Sequence, residues 1–411
     1  MFLNYLFIGF FVVGIATGLI SAALQGNAGV LTDMVQATFS SATNAFEIAL
    51  ALTGVLCFWT GLINIAKESG VTERLSRAVG PTLGALFPSV PKGHPAMSHI
   101  FMNVSANILG LDNAATPIGL KAMEELQTLN PHKERASNAQ IMFIVLNASG
   151  LTVIPTSIMA YRMQAGAANP ADVFLPILLA TLLSTLTAVL LVGLRQRINL
   201  LQRPLVKLWI GLALFLGVVF CGFKFLPQET FRTVSSVVSA VTLLGIIAYF
   251  MISGLRRRIN VYNAFIDGAK EGFGTAVSII PYLVAILVAV GVFRASGAMQ
   301  WLIDGMRYCV GAMGLENGWV EALPTMLMKP LSGSGARGMM VDVMNTYGAD
   351  SLVGRIACSA QGSTDTTLYV VALYFGAVKI ARTRYTVGYS LIADLVGLVS
   401  CIPICYLFFA A

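Results

Sequence analysis

Long apolar runs, separated by short polar or charged connections, dominate this chain. Nine runs carry few or no charged residues and come close to or exceed the roughly 20 residues that a helix needs to cross a bilayer. The pattern therefore predicts nine membrane-spanning helices, of which the shortest run, 208–223, is extended by its flanks. The predicted spans are 6–24, 48–66, 136–161, 173–194, 208–223, 233–255, 272–293, 356–378 and 385–411.

Composition indicates a membrane protein, and the distribution of charge indicates its orientation. Of 411 residues, 56% are hydrophobic and 11% are charged, whereas soluble domains carry about 25% charged residues, so a water-soluble globular protein is excluded. With the amino terminus inside, eighteen Lys and Arg fall on one side of the membrane and six on the other, while Lys329 and Arg337 lie in an interrupted segment. Because loops on the cytoplasmic side are rich in Lys and Arg, this asymmetry predicts a cytoplasmic amino terminus. It also explains the net charge of +7 without a nucleic-acid partner.

The two halves of the sequence contain the same order of parts, about 227 positions apart. In each half a span ends just before a Ser-Gly pair, at Ser69-Gly70 and at Ser296-Gly297, and an amphipathic stretch and an interrupted apolar segment follow. The predicted threading takes the two copies through the membrane in opposite directions. Inverted repeats are typical of secondary transporters, which bind substrate near the midplane where broken helices of the two copies meet.

The interrupted segments, 98–121 and 319–342, have 24 residues each. Two arms of about 12 residues would each be about 18 Å long, too short for a hydrocarbon layer of about 30 Å, so we predict two re-entrant hairpins. Non-helical backbone at membrane depth must be buried in protein or face water, so the tips mark a cavity. In the second hairpin the break is expected over residues 332–335.

The two tips differ in chemistry. The second combines the free N–H groups and positive dipole end of a helix start with Arg337, which suits a carboxylate or phosphate. The first offers neutral donors and acceptors that could hold a polar ring or an amide. The predicted substrate-binding residues are Asn103, Ser105, Asn107, Asn113, Thr116, Ser332, Ser334 and Arg337 in the hairpins, and Asn147, Ser149, Gln361, Ser363 and Thr364 in the spans that follow them.

Asp365 is an ionisable residue inside a predicted span, where a charge is costly and indicates function. Together with Thr366 and Thr367 it forms a predicted coupling site for a proton or a sodium ion. The alternative is that Asp365 forms an ion pair with Arg337 that has only a structural role. Asp394, in the last span, is a weaker candidate for the pathway.

Six cysteines and three histidines show no paired metal-ligand spacing, so neither a metal site nor a disulfide framework is predicted. The usual pair of a nucleophile and a base is missing, since no His or Cys lies beside the hairpins except His94 and His99 near the mouth of the first. We therefore predict no catalytic residues, no enzymatic activity and no cofactor beyond a coupling Na⁺ or H⁺.

Three longer motifs carry a family resemblance. They are NVSANILGLDNAATPIGLKAM at 103–123, KPLSGSGARG at 329–338 and QGSTDTT at 361–367. They resemble the spore maturation proteins A and B, joined here as an A-like half, 1–200, and a B-like half, 205–411. Both belong to the group with nucleoside-recognition or Gate domains. The resemblance implies a multi-pass permease of the bacterial inner membrane, while "nucleoside" is an analogy at the level of the fold.

The residues and the resemblance together favour a secondary transporter for a small polar or anionic solute, held at the midplane between the two hairpins. Its expected partners are this solute and the lipid bilayer, and a homodimer is left open. The lack of a P-loop motif argues against a self-contained ATP-driven pump. Two other classes stay open, namely an intramembrane enzyme or flippase for lipid-linked precursors, and a membrane scaffold in envelope or spore assembly.

Overall fold

A computed structural model of the chain describes residues 2–25, 28–91, 93–110, 112–314 and 316–409, and within these ranges the regular structure is helical apart from one isolated bridge between Arg135 and Arg382. The helices are α1 (Phe2–Gln25), α2 (Gly29–Glu68), α3 (Val71–Leu86), α4 (Pro95–Ile108), α5 (Asp112–Thr128), α6 (Asn138–Ala148), α7 (Thr156–Gln164), α8 (Phe174–Arg195), α9 (Arg203–Phe225), α10 (Gln228–Arg256), α11 (Val261–Ala295), α12 (Ala298–Ala312), α13 (Leu323–Met328), α14 (Gly333–Tyr347), α15 (Leu352–Ser363), α16 (Thr367–Ala377) and α17 (Thr386–Phe409), with a 3-10 turn at Val320–Ala322 before α13.

Seven helices of the described ranges, α1, α2, α8, α9, α10, α11 and α17, are long and apolar enough to cross a membrane. They coincide with seven of the nine predicted spans, and α9 extends the short run 208–223 at both ends, as expected. With 40 and 35 residues, α2 and α11 continue well beyond their predicted bounds. The chain is thus an all-α polytopic membrane protein.

The other two predicted spans, 136–161 and 356–378, are broken helices. The first is interrupted between Ala148 and Thr156, and the second between Ser363 and Thr367. Gly150 has a φ of 61°, a left-handed conformation that favours glycine, and Pro155 has no N–H with which to continue a helix. Apolar composition located both segments correctly, but two half-helices replace one spanning helix at each place.

The interrupted segments form helical hairpins whose arms differ in length. α4, α5 and α14 have 14, 17 and 15 residues, whereas α13 has 6, against predicted arms of about 12. In the second hairpin the break precedes residue 333 instead of covering 332–335, because the Ser332 side chain accepts the N–H of Gly335 and α14 starts at Gly333. That the hairpins enter a membrane from opposite faces stays a prediction.

The Ser-Gly turn has the same geometry in both copies of the repeat. Gly70 and Gly297 are left-handed, with φ of 73° and 85°. The N–H groups of Ser69 and Ser296 donate to the carbonyl four residues back at 2.9 and 3.0 Å, and those of the glycines donate to the carbonyl three residues back at 3.1 and 3.0 Å. The turn ends α2 and α11 and starts α3 and α12. The duplicated order of parts is therefore present in the backbone itself.

Two compact units can be distinguished. One, called unit 1, comprises Met1–Thr60, Ser157–Pro170 and Ala269–Gln361, and unit 2 comprises Gly61–Thr156, Ala171–Gly268 and Gly362–Ala411. The second hairpin belongs to unit 1 and the first to unit 2. The core of unit 1 packs α11 against α12 and α14, and that of unit 2 surrounds the buried α6. Each unit draws on both copies of the repeat, and the A-like and B-like halves stay a prediction.

Arg162 fixes α7 within unit 1. Its side chain is 0% exposed, and it donates to the Ala349 carbonyl at 2.6 Å and to Asp350 Oδ1 at 3.0 Å. The other Asp350 oxygen accepts the N–H of Ala168 at 2.8 Å. The buried Arg162 guanidinium and the partly exposed Asp350 carboxylate thereby join α7 of the first copy to the loop between α14 and α15 of the second.

We expect Arg162→Met to destabilise the protein by about 2 kcal/mol, because the buried Ala349 carbonyl loses its donor, while the partly exposed Asp350 keeps Arg355 at 3.6 Å and the Ala168 N–H. Thermal melting in detergent measures the loss. The control Arg307→Met removes an ion-paired but partly exposed arginine of the same unit and should cost less than about 1 kcal/mol. Equal shifts of the two variants would contradict the anchoring role.

Candidate functional site

The tip of the second hairpin, in unit 1, presents the start of α14. Ser332 Oγ accepts the N–H of Gly335 at 3.0 Å and lies 3.3 Å from Ser334 Oγ. No described residue accepts a hydrogen bond from the N–H groups of Gly333 and Ser334. A Cβ on Gly335 would lie 2.2 Å from Met328 Cε, so the chain doubles back tightly here. Two free N–H donors and two hydroxyls therefore converge at the positive end of α14.

Arg337 lies one turn into α14, half-buried, with its guanidinium carbon 5.9 Å from the centroid of the Tyr161 ring. Tyr161 itself is buried in unit 1. No carboxylate of the described residues in this unit pairs with Arg337. A cation held against an aromatic face therefore lies beside the positive end of a helix at this tip.

Gln361, in α15, completes this site. It is 7% exposed, its Nε2 lies 3.4 Å from the Gly333 carbonyl, and its Oε1 has no donor among the described residues. Leaving a buried amide oxygen unpaired costs about 1–3 kcal/mol. The site therefore offers one buried acceptor next to its donors, an arrangement suited to a ligand that carries both an anionic group and a hydrogen-bond donor.

The tip of the first hairpin, in unit 2, is built from amides. Asn103 Nδ2 donates to the Ala115 carbonyl at 2.8 Å and ties the two arms together. Asn107 Nδ2 donates to Asn147 Oδ1 at 2.9 Å, so the structure brings this tip to the broken helix that follows it. Asn103 Oδ1 and Ser105 Oγ are buried without a partner among the described residues. Thr116 is half-buried on α5, and the side chain of Asn113 lies outside the described part of the structure.

The two helix breaks meet inside unit 2. The N–H of Asp365, in the second break, donates to the Ala148 carbonyl, at the end of α6, at 2.9 Å. A Cβ on Gly150 would lie 2.5 Å from the Asp365 nitrogen and 2.7 Å from the Thr364 carbonyl carbon. Only a glycine allows the backbones to approach this closely. The broken helices of the two copies therefore cross at their breaks.

The predicted coupling residues lie around this crossing. Asp365 is exposed, and its Oδ1 accepts the N–H of Thr366 at 2.6 Å, next to the start of α16. Thr364 and Thr367 are buried, and neither hydroxyl has a partner among the described residues. Ser363 is buried as well. Asp394 is fully buried in α17, and its role stays a prediction.

Sequence reasoning missed the hydroxyl groups of α8. Thr181 Oγ1 donates to the Gly150 carbonyl at 2.8 Å, Ser149 Oγ lies 3.1 Å from Thr185 Oγ1, and Ser184 packs with Thr364 against Gly397. These α8 residues occupy one helix face, at the spacing i, i+3, i+4. That spacing was the signal in the sequence, but small polar residues within a span are usually packing positions.

These features define a polytopic helical membrane protein whose core is a duplicated pair of hairpins and broken helices, a transporter-like architecture. The family model Gate, described as nucleoside recognition, matches residues 49–165 and again 276–381, together more than half of the chain. The chain belongs to this family. Its two matches fall on the two copies of the repeat.

Two curated proteins of Bacillus subtilis (strain 168) are similar to this chain. Spore maturation protein A is 43% identical over 163 residues, which cover 40% of this chain and 83% of that protein. Spore maturation protein B is 44% identical over 166 residues, which cover 40% of this chain and 92% of that protein. No solved structure matches the chain significantly.

We expect Gly150→Ala to destabilise the protein by about 3 kcal/mol, because it adds a backbone clash at the crossing to the cost of a left-handed alanine. The matched control is Gly166→Ala. Its φ is 78°, and an added Cβ would meet nothing within 4 Å, so it should cost only about 1 kcal/mol. Melting temperatures in detergent compare the two, and equal losses would show that the crossing does not constrain residue 150.

Proposed function

We propose that the chain is a secondary transporter of the bacterial inner membrane that carries a small polar or anionic solute. The observation that carries this proposal is the crossing of the broken helices, where Asp365 N–H donates to the Ala148 carbonyl at 2.9 Å. Broken helices in transporters free backbone groups and dipole ends near the bilayer midplane, and substrates and coupling ions bind there.

The chemistry of the second hairpin supports an anionic group on the solute. Free N–H groups at the start of α14, the Arg337 guanidinium and the unpaired Gln361 oxygen lie in one unit, and together they suit a carboxylate or phosphate that has a donor nearby. The positive end of the helix dipole and the half-buried Arg337 guanidinium would both attract the anionic group of the solute.

The uncharged groups of the first hairpin suit a solute that has a polar, uncharged part in addition to its anionic group. Asn103 Oδ1 and Ser105 Oγ are buried without partners among the described residues, at a cost that a ligand with complementary donors and acceptors would recover. A polar ring or an amide has these groups. That a single solute contacts both hairpins stays a prediction.

Asp365, Thr366 and Thr367 are the proposed coupling residues. The exposed Asp365 carboxylate has one oxygen on the Thr366 N–H, and its other oxygen accepts no hydrogen bond from the described residues. That oxygen is available to a proton, or to a sodium ion together with nearby hydroxyl oxygens, since hard cations prefer oxygen ligands. A structural pairing of this carboxylate is the competing role.

The solute can be identified by thermal stabilisation of the purified chain with nucleosides, amino acids, dicarboxylates and sodium. We expect one class to raise the melting temperature of the wild type, and Arg337→Ala to weaken the binding of that class by about tenfold to a hundredfold, as for a lost charge-assisted hydrogen bond.

Gln361→Met should also weaken binding while preserving or raising stability, because it removes an unpaired buried oxygen. Arg77→Ala, an exposed arginine of α3, is the control. Full binding by both site variants would refute this site.

A second prediction separates coupling from structure at Asp365. We expect Asp365→Asn to retain solute exchange across proteoliposomes, because the amide oxygen still accepts the Thr366 N–H, but to lose accumulation driven by a proton or sodium gradient. Uptake of labelled solute with and without the gradient measures both. If gradient-driven accumulation persists, Asp365 is a structural residue.

The names of the two Bacillus subtilis relatives, spore maturation proteins A and B, favour one other candidate, a membrane scaffold in envelope or spore assembly. In that case, alanine at Asn103, Ser105 and Gln361 would leave biological activity intact as long as the fold persists. Turnover in detergent without any gradient would instead indicate an intramembrane enzyme.

A further inference from the structure

A second repeated motif occurs outside the proposed solute site. GLRQRIN at 193–199 ends α8, and GLRRRIN at 254–260 ends α10. Both close their helix in the same way. The N–H of Ile198 donates to the Gly193 carbonyl at 2.9 Å, and that of Ile259 to the Gly254 carbonyl at 3.3 Å. The residues before these isoleucines, Arg197 and Arg258, are left-handed, with φ of 55° and 57°.

Every non-glycine residue of the described chain with positive φ is basic, namely Arg197, Arg258, Lys379 and Arg384. The position after a helix end usually holds glycine, because other side chains are disfavoured in this conformation. A basic residue in the last turn offsets the helix dipole, but Arg195 and Arg256 already do so. The left-handed arginine of each motif is thus unfavourable for the backbone and unnecessary for the dipole, which indicates another use for its charge.

At the end of α8 two guanidinium groups, those of Arg195 and Arg384, lie over one aromatic ring, and Arg384 Nη1 also donates to the Ala136 carbonyl at 3.0 Å and to Asn138 Oδ1 at 2.9 Å. The guanidinium carbons of Arg195 and Arg384 lie 5.9 and 5.1 Å from the centroid of the same ring, Tyr385. Gln196 Nε2 fixes this ring by donating to the Tyr385 hydroxyl at 3.1 Å. Arg195, Arg197 and Arg384 are exposed, and no ion pair of the described residues involves them. Like charges gathered around one ring are stabilised by an anion between them.

We propose that Arg195, Arg197 and Arg384 bind the phosphate headgroup of an anionic membrane lipid. Arginine matches phosphate geometry, and basic clusters next to a spanning helix attract anionic lipids. The surroundings favour a lipid over a soluble phosphate. Leu194 and Leu201 beside the cluster are 69% and 79% exposed, and the apolar α9 that begins at Arg203 exposes most of its side chains. Acyl chains can lie along these surfaces.

The test uses the full chain in neutral detergent, titrated with phosphatidylglycerol, phosphatidylcholine or inorganic phosphate. Bound lipid is counted by native mass spectrometry, and stability is followed by thermal melting. We expect phosphatidylglycerol to bind and stabilise the wild type, and Arg195→Gln/Arg384→Gln to weaken its binding by about tenfold or more. Arg195→Lys/Arg384→Lys keeps the charges and should bind more tightly than the glutamine variant. Lys224→Gln, which removes a cation lying 5.9 Å from the Phe225 ring at the other end of α9, should behave as wild type.

Three outcomes would overturn the proposal. They are equal binding of phosphatidylcholine, full stabilisation by inorganic phosphate alone, and an unchanged response in the folded glutamine variant. Binding in the lysine but not the glutamine variant, with both folded, supports it.

Discussion

Backbone amides freed by a helix break have no water partners in a bilayer, and each unsatisfied group costs several kcal/mol. Two such breaks lie in the described residues, between α6 and α7 and between α15 and α16, and one backbone hydrogen bond joins them. The Asp365 N–H donates to the Ala148 carbonyl, and Thr181 of α8 donates to the Gly150 carbonyl at 2.8 Å. The two backbone segments must nearly touch for the Asp365–Ala148 hydrogen bond to form, and a Cβ at residue 150 would lie 2.5 Å from the Asp365 nitrogen. Residue 150 therefore has to be glycine. The geometry of the proposed coupling residues follows from this contact, since it holds the Asp365 backbone in place.

Arg162 and the amides at the two hairpin tips differ in how their buried polar atoms are paired. Both terminal nitrogens of Arg162 have acceptors, and its partner Asp350 is bonded through both oxygens. Asn103 and Gln361, by contrast, each use their amide nitrogen and leave a buried oxygen without a donor among the described residues. A folded protein seldom tolerates such groups without a reason. The Arg162–Asp350 pair joins elements of the fold through both terminal nitrogens of the arginine, whereas the open oxygens of Asn103 and Gln361 lie at the two hairpin tips where a ligand is proposed.

Much of this architecture was accessible from the sequence, because it depends on features that a linear pattern records. Apolar runs located seven spans, the Ser-Gly pairs marked the repeated turn, and Asn147, named from the sequence as a site residue, contacts Asn107 at the tip of the first hairpin. The helix breaks were not predicted, since hydropathy averages over a window and does not respond to a single glycine such as Gly150. The exact start of α14 depends on one side-chain cap at Ser332. The contribution of Thr181 depends on which helix packs next to the break, which only the tertiary structure determines.

The crossing also bears on how the two copies of the repeat depend on each other. In unit 2 the first copy supplies α6 and its terminal carbonyl, while the second supplies the Asp365 N–H together with α16 and α17, and these helices share one buried core. In unit 1 the ion pair of Arg162 with Asp350 again takes one partner from each copy. Each copy therefore contains buried polar groups that only the other can satisfy. Leaving these groups unpaired in a membrane is costly, so neither copy of the repeat forms a complete interior by itself. The two copies therefore have to fold together.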